Sequence, residues 1–278
     1  MKKLFEEVKS KGDKTKRLTR KEKKAEEERL KNAAIDAAIA AEEGGGGGGE
    51  DGPPKEEEVV DPLEFAPVKD ILADFQGDWM DRVAGIKKWN EKVDELNKII
   101  EACKNVKVKP GNFGPMAAFL NKEIRATNVN TAMAAINVVT AIATGLKKDF
   151  ADYAKEVVEA VLLKYKEKRP MVQEACNQCC EALLNACNME QIAEQTIPCI
   201  TNVAPGVKIG TLKFVEKHVV ITYIDILKRV SDTLLPAVKK VMDDKDGTVR
   251  DNALHCMGIL KGRLDEGIMT PFIKDLNP

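Results

Sequence analysis

The sequence predicts an all-α fold, a HEAT-repeat solenoid of stacked helical pairs, on three observations. Four short turns punctuate its second half: Thr127-Asn128-Val129-Asn130, Arg169-Pro170-Met171-Val172, Ala204-Pro205-Gly206-Val207-Lys208 and Gly247-Thr248-Val249-Arg250. Their valines at 129, 172, 207 and 249 lie 43, 35 and 42 residues apart, which is the period of HEAT-type pairs. Aromatic residues make up 5% of the chain while Ala, Val, Ile and Leu are plentiful, a composition that suits helix packed on helix. Between the turns the apolar residues recur at helical spacing, as with Val157, Val161, Leu162 and Tyr165 on one segment and Val172, Cys176, Cys179, Cys180 and Leu183 on the next.

Taken in order, residues 1–30 mix twelve Lys or Arg with seven Asp or Glu and carry no sustained apolar stripe, so they read as solvated. Residues 21–43 favour at most a single helix, and six glycines at 44–49 followed by Glu50-Asp51-Gly52-Pro53-Pro54 mark a flexible linker. The domain reading is therefore a disordered mixed-charge and Gly-rich linker over 1–60 and one ordered domain over 61–278. Order is expected to begin near Asp61-Pro62, since proline suits the first turn of a helix. The helical pairs are predicted at 67–75 with 79–102, 114–125 with 130–146, 153–167 with 171–188, 190–201 with 207–227, and 234–242 with 249–264. Residues 268–276 start a sixth pair, which either exposes an apolar patch or packs back as a cap.

A net charge of −1 and a pI near 6.3 give no global excess of the kind that nucleic-acid binders carry. Seven cysteines, an odd number, with no signal peptide, suggest a reducing cytoplasmic setting, and no uninterrupted apolar run reaches the eighteen or so residues of a membrane helix. The Cys176, Cys179, Cys180 and Cys187 group lies on one helix at core spacing, far in sequence from His218 and His255, and reads as buried thiols rather than a zinc site. The glycine tract lacks the Lys-Ser/Thr that grips phosphate, and neither histidine sits in a nucleophile or metal motif. The chain is thus expected to be a non-enzymatic protein with no cofactor or metal.

The turns themselves are biased in composition. Arg125 precedes one, Lys164, Lys166, Lys168 and Arg169 crowd another, Lys208 follows the next, and Lys245 and Arg250 flank the last. Any one of these is an ordinary solvated cation. Recurring at one position of a stacked repeat, they fall in a row along one edge, suited to an extended acidic partner. Trp79 follows Gly77-Asp78, with Asp78 a natural N-cap. Its spacing from Val83 and Ile86 fits the start of a buried stripe, and its place at a turn fits an exposed aromatic anchor. Trp89, between Ile86 and Val93, reads as core.

These residues resemble the TOG domains of the microtubule polymerases of the ch-TOG and minispindles type, most closely the second such domain. Asp78-Trp79-Met80-Asp81-Arg82, Thr127-Asn128-Val129, Gly145-Leu146-Lys147-Lys148-Asp149-Phe150, Tyr165-Lys166-Glu167-Lys168-Arg169-Pro170 and Thr248-Val249-Arg250-Asp251 follow that family's W-x-x-R, D-x-N-V, G-L-x-K-x-F, F-K-E-K-K-P and P-x-V-R-D signatures in order. The resemblance covers about residues 61–278. It implies a flat paddle of six HEAT repeats that binds the αβ-tubulin heterodimer through its intra-repeat loops, a monomeric domain without nucleic-acid or membrane partners. It also implies a place at microtubule plus ends, the spindle and spindle poles. On that resemblance the tubulin-binding residues are Trp79, Val129, Lys168, Lys208 and Arg250, with Asn128, Arg169 and Lys245 as additional contacts, and Trp79 moves to the exposed reading. Departures are Gln76-Gly77-Asp78 in place of a Lys-rich approach to the tryptophan, and Gly247 where Pro or Ala is usual, which adds backbone freedom to the fifth loop. Segment 1–30, with about five net positive charges, is a second expected contact, with the microtubule lattice. A generic HEAT adaptor and a metal or redox protein built on the cysteines are the competing readings.

Overall fold

A computed structural model describes residues 62–75 and 77–274, which fall within one compact unit, Val60–Pro278. The linker over 1–60 and its lattice contact lie outside the described residues. A 3-10 turn at Pro62–Phe65 and strand β1 (Val68–Lys69) precede helices α1 (Ile71–Asp74), α2 (Trp79–Gly85) and α3 (Trp89–Ala102). Strand β2 (Lys107–Val108) pairs in parallel with β1, Val68 opposite Lys107. Then follow α4 (Gly114–Ile124), α5 (Val129–Leu146), a 3-10 turn at Lys147–Phe150, α6 (Ala151–Leu163), a 3-10 turn at Lys164–Lys166, and α7 (Pro170–Ala186). The chain continues through α8 (Met189–Ile200), α9 (Pro205–Ile221), α10 (Ile224–Val241), α11 (Gly247–Arg263) and α12 (Glu266–Ile273).

The even helices α2, α4, α6, α8 and α10 form one layer and the odd helices α3, α5, α7, α9 and α11 the other. Each helix packs against its pair mate and against the next helix of its layer. In four of the five pairs the second helix carries its own start signal, the exception being α3, whose N-cap Lys88 makes no side-chain cap. Asn128 Oδ1 accepts from the N–H groups of Asn130 (2.9 Å) and Thr131 (3.2 Å), and Asp246 Oδ1 from those of Thr248 (2.9 Å) and Val249 (3.2 Å). Such caps contribute about 1 kcal/mol each. Pro170 and Pro205 open α7 and α9, where a missing N–H leaves no bond unmade. Asn188 and Gln191 form a reciprocal capping box at the head of α8.

The core divides into two clusters. The first runs from Ile71 to Cys187 and takes in Ile192, Cys199, Val207 and Phe214; the second runs from Met189 to Met269. All seven cysteines are buried, and burial pushes the thiols of Cys176, Cys180 and Cys187 up to about 12, so they pack as small apolar groups rather than as nucleophiles. Within Val129–Lys166 an 18-residue window reaches a mean hydropathy of 1.5, enough to cross a membrane by length and composition. Its apolar residues are instead those of α5 and α6, covered by neighbouring helices, and α5 alone buries Ile136, Val138, Val139, Ile142 and Leu146. Helix α12 packs on α10 and buries Met269, with Ile268, Phe272 and Ile273 against the second cluster.

Four predicted helices are corrected, the first of them at 67–75, which is strand β1 followed by the four residues of α1. The single helix at 79–102 is broken: Ile86 is extended (φ −65°, ψ 121°), its N–H closes the last turn on Val83, and a new helix starts at Trp89. The helices predicted at 207–227 and 234–242 instead run Pro205–Ile221 and Ile224–Val241. The apolar pattern crosses that turn because Ile221 and Tyr223 are apolar yet exposed, and Pro236 lies inside α10.

Candidate functional site

Because α3, α5, α7, α9 and α11 stack in one layer and each is entered by a short turn from its pair mate, five turns share one edge. Side chains tie neighbouring turns together. At the first junction Lys92 Nζ donates to Glu123 (3.0 and 3.1 Å) and to the Ala84 carbonyl (3.3 Å). At the second, the buried Lys164 Nζ donates to the Ala126 carbonyl (3.0 Å), and its pKa is lowered, chiefly by burial. At the third, Gly206 lies against the Tyr165 carbonyl and Gly210 against the Tyr165 ring, so close that a Cβ at either glycine would overlap it. At the fourth, Lys208 bridges to Asp244. Gly206 and Gly210 are thus what lets the fourth turn approach the third.

The predicted residues divide sharply against this frame. Lys168 and Arg169 are exposed in the third turn, as are Lys245 and Arg250 in the fifth. Arg250 Nη1 donates to the carbonyls of Asp244 (2.8 Å) and Lys245 (3.2 Å), so its guanidinium is held at the surface by the turn it belongs to. With Asp246 capping α11 as well, the turn is braced, and the freedom expected from Gly247 is not used. Val129 is half-buried against the core and Asn128 spends its side-chain oxygen on the cap. Lys208 is mostly covered by its pair with Asp244, whose carboxyl is held below its usual range, first of all by the Lys208 hydrogen bond.

The expected exposed anchor, Trp79, is a correction: it is 6% exposed. Its ring meets Phe75 and Phe119 edge-on at centroid distances of 5.0 and 5.9 Å, and its Nε1–H donates to Glu95 (3.2 Å). Asp78 precedes it without making a side-chain cap. Trp89, read as core, is the exposed one, at 48%. It follows Lys87 and Lys88 and is the first residue of α3, as Val129 is of α5 and Gly247 of α11. The repeat period contained this signal, because Val129 lies 40 residues after Trp89 but 50 after Trp79, and the other spacings are 35 to 43. Sequence reasoning also passed over two apolar side chains on the edge, Met171 in the third turn (70% exposed) and Val203 in the fourth (95%).

Antiparallel pairing brings the C-terminal ends of the even helices to the same edge as the N-terminal ends of the odd ones. Their dipoles therefore largely cancel, and the side-chain cations set the local potential. The edge can hold a partner by one aromatic contact at its first turn, apolar contacts in the middle and cations at the third and fifth.

No family model matches the chain. It is 28% identical over 224 residues to Protein mini spindles of Drosophila melanogaster and 27% identical over 220 residues to Zygote defective protein 9 of Caenorhabditis elegans. These matches cover 79% and 78% of this chain but only 11% and 16% of the relatives, so the chain spans a small part of the proteins it resembles. Among solved structures, one from work on microtubule plus-end tracking by XMAP215, CLIP-170 and EB1 is 28% identical with a TM-score of 0.66, covering 78% of this chain and 90% of that one. Another, from work on tubulin recruitment by microtubule polymerases with TOG domain arrays, is 25% identical with a TM-score of 0.68, covering 80% of this chain and 47% of that one. A TOG domain structure of the worm protein shares the fold at 13% identity and a TM-score of 0.55.

Proposed function

We infer, from the place of its folded unit in the TOG-domain family of the minispindles type, that this chain binds αβ-tubulin heterodimers through the edge formed by its five intra-repeat turns. The observation that carries the reading is the polarity of that edge, with an exposed tryptophan after two lysines at its first turn and an exposed arginine at its fifth. Trp89 is the aromatic anchor in this scheme, the residue type most enriched at interface hot spots. Lys168, Arg169, Lys245 and Arg250 supply charge toward an acidic partner, and Val129 apolar contact. Trp79, Asn128 and Lys208 act from behind, by packing, by capping and by joining the fourth turn to the fifth.

The domain is a non-enzymatic, monomeric binding module of a cytoplasmic regulator of microtubule dynamics, acting at plus ends, spindle and spindle poles, with residues 1–60 as its linker. Burial of Trp79 favours a second reading, an adaptor for some other protein, and exposure of Trp89 at the equivalent turn weighs against it. The test is co-elution with tubulin on size exclusion, then titration. Trp89→Ala and Arg250→Ala should each weaken binding at least about tenfold, and binding should weaken as salt rises, since charges are screened over roughly 8 Å at physiological ionic strength. Parent-like affinity in both variants would remove this edge from the mechanism.

A further inference from the structure

On the edge opposite the loops, the three successive turns that join α5 to α6, α7 to α8 and α9 to α10 enclose an open pocket of about 470 Å³. Leu184 near the end of α7, Ile221 at the end of α9 and Ile226 in the first turn of α10 supply its apolar walls. Lys148 comes from the first of the three turns, within the Gly145–Phe150 signature that the loop edge does not use, and is the only charged side chain in the lining. It is exposed and forms no ion pair among the described residues. Opposed helix ends meet here as they do at the loops and largely cancel, so the lysine sets the sign of the pocket. Helix α9 runs 17 residues, about 25 Å, from the loop edge to this one, so a ligand here lies clear of anything held by the loops.

His218 and Thr222 also line the pocket, at 0% and 4% exposure, and neither the ring nitrogens nor Oγ1 has a hydrogen-bond partner among the described residues. Buried polar groups in that state are costly and rare. Burial lowers the His218 pKa to about 4, so at neutral pH the ring is uncharged and keeps one N–H to donate, beside the one O–H of Thr222. Two donors without an acceptor, next to one unpaired cation, match a group with two acceptor oxygens and a single negative charge, which is a carboxylate. Beyond the mouth of the pocket the apolar surface continues over Val220 and Tyr223, the latter 81% exposed. Arg263 fixes that surface in advance, Nη1 donating to the Val220 carbonyl (2.8 Å) and Nη2 to that of Thr222 (2.7 Å). A small acid fills the pocket and leaves this surface in water, whereas an extended chain covers both.

We propose that this pocket seats an acidic peptide segment of a partner protein, with an apolar side chain among Leu184, Ile221 and Ile226, a neighbouring carboxylate on Lys148, His218 and Thr222, and the chain crossing Tyr223. The site is independent of the tubulin-binding reading, and its distance from the loops lets the domain hold two proteins at once.

The probe is a pool of acetylated, amidated pentapeptides with glutamate in the fourth place and leucine, isoleucine, phenylalanine or tryptophan in the third. It is titrated into the full chain and followed by the ring resonances of the two histidines, His218 and His255. A matched pool carries glutamine in place of glutamate, and 4-phenylbutyrate stands for a free small acid. The glutamate pool should shift the His218 resonances, leave those of His255 in place, and bind at least about tenfold more tightly than the glutamine pool or 4-phenylbutyrate. Lys148→Glu should raise its Kd about tenfold or more and Thr222→Val about threefold to tenfold, with the circular dichroism of both variants like the parent's. Equal binding by the two pools, or parental affinity in Lys148→Glu, overturns the carboxylate. Binding of 4-phenylbutyrate as tight as the peptides overturns the peptide, and a glutamate pool that leaves His218 unshifted at millimolar concentration overturns the site.

Discussion

The two tryptophans make opposite demands that one pair of substitutions separates. Trp79 is sealed between Phe75 and Phe119 and hydrogen-bonded to Glu95. A buried tryptophan removes roughly 200 Å² from water, which at about 25 cal/mol per Å² is about 5 kcal/mol, in line with the 3–5 kcal/mol typical of aromatic truncation in cores. For a domain of this size each kcal/mol moves Tm by roughly 2–4 °C, so Trp79→Ala should lower Tm by roughly 6–20 °C. Trp89 is half-exposed at the head of α3, and Trp89→Ala should change stability by about 1 kcal/mol or less. As a hot spot it should instead raise the Kd for tubulin about thirtyfold, the equivalent of about 2 kcal/mol. Differential scanning fluorimetry and a tubulin titration on both variants read the two effects independently. A Trp79→Ala protein with parental Tm, or a Trp89→Ala protein with parental affinity, would refute this assignment of roles.

Other outcomes follow from the same contacts. Lys92→Met leaves Glu123, whose side chain is 5% exposed, without its cation, and should cost about 3–5 kcal/mol in denaturant unfolding; adding Glu123→Leu should restore most of it. Gly210→Ala drives a methyl into the Tyr165 ring and should cost about 1–3 kcal/mol, whereas Gly258→Ala, where nothing lies within 4 Å in mid-helix α11, should raise Tm slightly. His218 is buried edge-on against Phe214 with both ring nitrogens unpartnered, and burial lowers its pKa from 6.5 to about 4. Between those values the unfolded chain takes up a proton that the folded one does not. Stability from this group is thus complete above about pH 6.5 and falls by about 3 kcal/mol as pH drops to 4. His218→Leu should flatten the Tm profile over that window, and an unchanged profile would contradict the assignment.

Much of this molecule is legible along the chain because its determinants are local. Asn128, Pro170, Pro205 and Asp246 announce the starts of α5, α7, α9 and α11 within three residues, and the spacing of the turns follows from the length of a helical pair. The same features placed Lys168, Arg169, Lys245 and Arg250 correctly at the surface, though not Lys164, which is buried. They failed where apolar periodicity continued across a turn, at Ile86 and at Ile221, since a stripe records which residues are apolar and not whether a neighbouring helix covers them.

That is why the two tryptophans were exchanged. Both sit at helix starts on apolar stripes, and what separates them is Phe119, forty residues beyond Trp79, closing over one and leaving the other in water. Lys208 and Lys245 look equivalent as turn cations, but Asp244, 36 residues after Lys208, captures the first and leaves the second exposed. Helix starts, repeat length and the existence of a charged edge are set by interactions among residues close in sequence. Which side chains on that edge reach a partner, and which hold the edge together, is settled by contacts between successive repeats, because burial and ion pairing depend on the distance through space that stacking alone creates.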